Sequence, residues 1–182
     1  MPYTSIGNEV DKLPQVLAGP ILRRTEPTQV SVWIALRTNP GPLRLKVYLN
    51  GSIKAASSPT SLMQFGTKLY IIVLTAVVPA GQPLVEDEVY TYDILLNDPS
   101  TGLADNTAGT VKTLSSPGIL DGPGLSGIGA ITYLNSGLTL PSFALPPANM
   151  TDVRLVHTSC RKSFGGHYEG AIQIVARPLL RD

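Results

Sequence analysis

The chain contains one cysteine, Cys160, in the stretch best suited to chemistry. It follows the run 152–158 (DVRLVHT), whose apolar, β-branched residues predict a compact strand. Arg161, Lys162 and a Phe164-Gly165-Gly166 loop come next. Ligands of α/β sheets gather beyond the carboxyl ends of strands, which is where this spacing puts Cys160. A thiolate there is a soft ligand for iron or zinc, and the two basic neighbours favour the thiolate form. The competing reading is a small buried residue, the usual fate of a lone cysteine after an apolar strand. His157 lies three positions earlier. In an extended strand it points to the opposite face, so it reads as a core or supporting histidine. His167, in the glycine loop, reads as solvated.

Other chemistry-bearing patterns are weak. The sequence has no HExxH, CxxC or GxxxxGK[ST], and no GxSxG. Glu86-Asp87-Glu88 is a short acidic run before an expected strand, read as a solvated turn that could at most be a weak cation site. The glycines of 118–129 lack the strand-then-helix setting of a phosphate cradle.

The elements that would position Cys160 form the opening of an α/β unit. After the strand and loop, 168–177 places Ile172, Val175, Ala176 and Leu179 at helical spacing. Pro178 disfavours helix at the residue before it, so the helix is expected to end there.

Everything earlier reads as β structure. Val16 to Arg24 predicts an edge strand kinked at Gly19-Pro20, because proline has no ladder N–H. In 29–37, Val30, Val32 and Ile34 fall on one face, and Ser31, Trp33 and Ala35 on the other. In 43–49, Leu43, Leu45, Val47 and Leu49 are expected inward and Arg44, Lys46 and Tyr48 outward. Asn50-Gly51 is a hairpin turn. The β-branched run 69–78 favours strand over helix, and 89–96 sets Tyr90, Tyr92, Ile94 and Leu96 on one face. Turns between strands at this spacing predict a sandwich. In such a fold Trp33 would fill the space between the sheets, and a tyrosine hydroxyl would find a backbone partner. From Leu114 to Pro147 the pattern loosens. A short strand is possible at 128–134, and proline-rich 140–147 reads as a linker.

Composition narrows the function classes. The 182 residues are 43% hydrophobic and 15% charged, with a formal net charge of +1. That composition argues against disorder and gives no basic surface for nucleic acid. One thiol cannot make an intrachain disulfide. No apolar run is long enough to span a membrane. The polar first 12 residues carry no signal-peptide core, so a cytoplasmic location is expected.

Two segments carry a resemblance. Residues 16–36 (VLAGPILRRTEPTQVSVWIAL) resemble the N-terminal strands of PhoD-like alkaline phosphatases. Residues 153–165 (VRLVHTSCRKSFG) resemble the point at which that family's metallophosphoesterase domain begins. The resemblance implies an immunoglobulin-like domain followed by a catalytic core that uses iron with calcium, in which the cysteine of the S-C motif ligates iron. By position that role falls on Cys160. The family's other ligands lie in a G-D-x-x-Y-type segment and beyond, and no such segment is present. Phosphoester hydrolysis needs several oxygen ligands and an activated water. This chain alone is therefore expected to be inactive, with no cofactor and no catalytic residue of its own.

The expected fold is mainly β: an immunoglobulin or fibronectin-III-like sandwich followed by the first strand and helix of a truncated α/β phosphatase core. The expected boundaries are a polar arm at 1–12, the sandwich at 13–114, a Gly/Pro-rich linker at 115–151 and the start of the core at 152–182. The expected partner is the remaining catalytic domain, in cis or as a separate chain, with a homo-oligomer as a further possibility. The alternative function is a stand-alone binding module, with Tyr48 or Tyr70 as exposed contacts.

Overall fold

The computed structural model describes residues 10–103, 109–120 and 140–153. They are mainly β, with eight strands in chain order: β1 (Val16–Glu26), β2 (Gln29–Leu36), β3 (Leu43–Leu49), β4 (Ser52–Ala56), β5 (Met63–Gln64), β6 (Tyr70–Val77), β7 (Tyr90–Leu96) and β8 (Ser142–Phe143). The pairings are antiparallel and build one curled sheet in the order β1-β2-β6-β4-β3-β7-β8, with β5 on the free part of β6. Short three-residue 3-10 turns, Val10–Lys12 and Met150–Asp152, lie at the two ends of the described chain. Among the described residues no helix is long and apolar enough to cross a membrane.

Local chemistry accounts for the strand ends. β1 is an edge strand, as the proline requires, and its register against β2 slips around Gly19-Pro20, a cis peptide. Gly19 has φ +91°, and a Cβ there would sit 2.9 Å from the Trp33 carbonyl oxygen. Glycine is what lets the two backbones approach so closely. Asn50 and Gly51 both have positive φ, 50° and 79°, the combination that turns β3 tightly into β4. The run 69–78 is strand, and its competing helical reading is excluded.

The alternation puts the expected apolar residues in the core. Val30, Val32, Ile34 and Leu36 of β2 are wholly buried, as are Leu43, Leu45 and Val47 of β3. Ile72, Leu74 and Ala76 of β6 and Tyr90, Tyr92, Ile94 and Leu96 of β7 complete the cluster. Each such side chain contributes about 1.5–3 kcal/mol by leaving water. The Tyr90 hydroxyl accepts a hydrogen bond from the Val85 N–H at 2.8 Å, so the buried ring keeps a backbone partner as anticipated.

Three sequence expectations change. Arg44 and Lys46 are not outward in solvent: both are wholly buried, because chain from beyond β7 covers that face of β3. Trp33 does not fill an interior gap. It lies half-exposed in a row with Ile21 of β1 and Val73 of β6, on the face away from the core. Tyr48 and Tyr70 are half-buried, and Tyr70 packs against the core.

The core also draws on chain from residue 114 onward. Leu114, Ile119, Phe143 and Leu145 are buried in the same cluster. The Phe143 ring stacks on Tyr90 with centroids 5.4 Å apart, and Ser142–Phe143 pairs with β7. The stretch 140–147, read as a linker, thus supplies an edge strand. Asp152 closes a 3-10 turn. The predicted strand at 128–134, the remainder of the 152–158 strand and the 168–177 helix lie outside the described residues.

Candidate functional site

Cys160, the one metal-ligand candidate, lies outside the described residues, as do His157, Arg161, Lys162 and His167. Glu86 and Asp87 sit in an exposed turn with Glu88 beside them. Among the described residues no group of three or more His, Cys, Asp or Glu side chains could hold a metal ion. Two other places gather polar side chains, and neither was singled out from sequence.

The first is a buried cluster on the side of β3 and β7 turned away from the apolar core. Arg44 Nε donates to the Ser57 carbonyl at 2.9 Å, Nη1 to Ser100 Oγ at 2.6 Å, and Nη2 to the Gly102 carbonyl. Asp98, also wholly buried, places Oδ2 3.6 Å from Arg44 Nη1 and accepts from the Ser100 N–H through Oδ1. Lys46 stands across the ladder from Asp93. The Asp93 carboxylate accepts the Leu114 N–H at 3.0 Å. Burial pushes the Asp93 carboxyl up to about 6, against the Leu114 and Ile94 N–H groups and the Lys46 charge, which pull it down. The donors of Arg44 are used on the protein's own backbone and hydroxyls. Such an arrangement holds loops rather than ligands: it fastens 98–102 and 114 over the sheet. The signal in the sequence was the pair of acids at positions 93 and 98, meeting the basic alternates of β3.

The second place is an open cleft of about 400 Å³ at one end of the sheet, between the end of β2, the end of β7 and the segment 110–119. That segment crosses from one edge of the sheet to the other. Lys112 exchanges two backbone hydrogen bonds with Leu96, at 2.8 and 3.1 Å. Six and seven residues later, the carbonyls of Gly118 and Ile119 accept from the N–H groups of Gln15 and Val16. Gln15 and Thr38, on the cleft wall, satisfy each other: Gln15 Nε2 donates to the Thr38 carbonyl at 2.7 Å and Thr38 Oγ1 to Gln15 Oε1 at 2.8 Å.

The cleft carries two cations, Arg37 and Lys112, and no acid among its lining residues. Arg37 Nη1 donates to the Asp11 carbonyl at 3.2 Å and lies 3.5 Å from the Asp11 carboxylate. Asp11 is shared with Lys68, whose ammonium contacts it at 2.5 Å. Lys68 first and Arg37 second hold the Asp11 carboxyl below its ordinary value. Arg37 Nε is buried with no hydrogen-bond partner. Lys112 is exposed at the mouth. Comparison of the chain with protein-family models, characterised proteins and solved structures returns no match.

Proposed function

We propose that the β region is an immunoglobulin-like sandwich that serves as the N-terminal, non-catalytic module of a PhoD-like phosphatase. The strand order carries this reading. Strands β1, β2 and β6 form one group, and β4, β3 and β7 the other, which is the division of strands between the two layers of an immunoglobulin-type fold. The groups join through a single residue pair, Ala56 with Val77, a seam narrow enough for them to fold face to face. The two resembling segments stand in the family's order, 16–36 forming the first two strands of that unit and 153–165 following it in sequence. In this reading Cys160 would ligate iron only beside the oxygen ligands of a complete core, which would also use calcium. The β module would pack beside that core and shape its entrance.

Activity of the purified chain tests the proposal. With iron and calcium supplied, the expected result is no turnover of phosphodiester or phosphomonoester substrates. Turnover that disappears in Cys160→Ala would overturn the non-catalytic assignment. The coding DNA following the Asp182 codon tests the family directly. G-D and histidine motifs there, in frame or displaced by a frameshift, support it. A stop codon with no such remnant counts against it.

A further inference from the structure

We propose that the cleft at the end of β2 and β7 binds a small molecule through a carboxylate or phosphate group, held between Arg37 and Lys112. The inference is independent of the family reading. It rests on how the guanidinium of Arg37 is spent. Nη1 is occupied by Asp11. Nε has no acceptor, and no described residue accepts from Nη2. Nε is closed off from solvent, which leaves Nη2 as the donor for a ligand oxygen, in a charge-assisted hydrogen bond.

Lys112 is placed for the second contact. Its backbone is fixed by the paired bonds to Leu96, while its ammonium has no ion partner among the described residues. Asp11 offsets one cation and is already divided between Arg37 and Lys68, so the cleft keeps a positive balance. The volume, about 400 Å³, falls in the range of small-molecule sites. Pro40 and Pro117 give the remaining wall an apolar surface for the body of such a molecule. The ligand class is therefore a small organic anion, and its headgroup is recognised by charge and by the Nη2 donor.

The test is a titration of the full chain, at constant ionic strength and about pH 8, where phosphate carries close to two charges. Inorganic phosphate and acetate are the two probes. Nitrogen-15 NMR follows the Arg37 side-chain N–H and the backbone amides of Lys112 and Gly118. The expected result is a saturable shift centred on these groups, weakened by added salt. Lys112→Ala, at an exposed side chain, is expected to weaken binding about tenfold without disturbing the fold. Arg37→Lys keeps the charge but removes the Nη2 donor, and is expected to weaken it comparably. Lys54→Ala, on β4 and away from the cleft wall, leaves it unchanged. Saturation with only one probe supports the proposal and identifies the headgroup. No saturation with either, or binding unaltered in both Lys112→Ala and Arg37→Lys, overturns it and leaves an adventitious ion only.

Discussion

The buried Asp93 carboxyl gives this fold an unusual dependence on pH. Its value in the folded protein is about 6, against 3.8 for an unperturbed aspartate, and the side chain is nearly inaccessible to water. A group whose folded value is raised holds its proton more tightly when folded. Its stabilising contribution is complete below the unfolded value and is lost as pH rises through the folded one. Stability should therefore fall between about pH 4 and about pH 6. At about 1.4 kcal/mol per pH unit the loss attributable to Asp93 is about 3 kcal/mol. Asp93→Asn removes the titration while keeping an oxygen that can accept the Leu114 N–H. The assay is urea denaturation across this range, read by the fluorescence of Trp33, the one tryptophan. Variant and wild type should have similar stability near pH 4. Above about pH 6 the variant should be more stable by about 3 kcal/mol. The exposed acids Asp11 and Glu26, whose carboxyls are held low by Lys68 and Arg24 respectively, act in the opposite sense and cancel in the difference. Parallel stability curves for the two proteins would refute the reasoning.

Two further outcomes follow from the packing. Arg44→Met should cost about 3–5 kcal/mol in the same denaturation assay, because the buried Asp98 carboxylate loses the guanidinium beside it. Adding Asp98→Asn should recover part of that loss, and a double variant as unstable as the single would contradict the coupling. Phe143→Ala should cost about 3 kcal/mol through the lost stack on Tyr90 and the cavity left in the core. A loss near zero would mean that 140–147 only leaves the β unit and takes no part in its core.

The strands were largely legible because most follow local rules. The alternation of 43–49, the Asn50-Gly51 turn and the proline at the edge each declare themselves within a few residues. The opposite face of β3 could not be read that way. Arg44 and Lys46 look like solvent alternates until β7 sets Asp93 across the ladder from Lys46 and the chain at 98–102 folds back over Arg44. Trp33 was misplaced for a related reason. Its size suggested an interior position, but the smaller Val30, Val32 and Ile34 already own the inward face of β2. The cleft was illegible because Arg37 and Lys112 are 75 positions apart, and only the backbone bonds of the 110–119 segment bring them to one wall.

That crossing segment also sets an order of events during synthesis. Gln15 and Val16, at the entry to β1, find their hydrogen-bond acceptors at Gly118 and Ile119, and β7 receives its last described neighbour from Ser142–Phe143. Contacts so distant along the chain are slow to form, since a long loop must close before they are made. On the ribosome, the β2–β6 and β3–β7 ladders can assemble while the N-terminal edge still waits for its acceptors. Until residues 118 and 119 emerge, the start of β1 and the apolar floor beneath it are open to other chains, which makes this the interval in which the nascent protein most needs protection from aggregation.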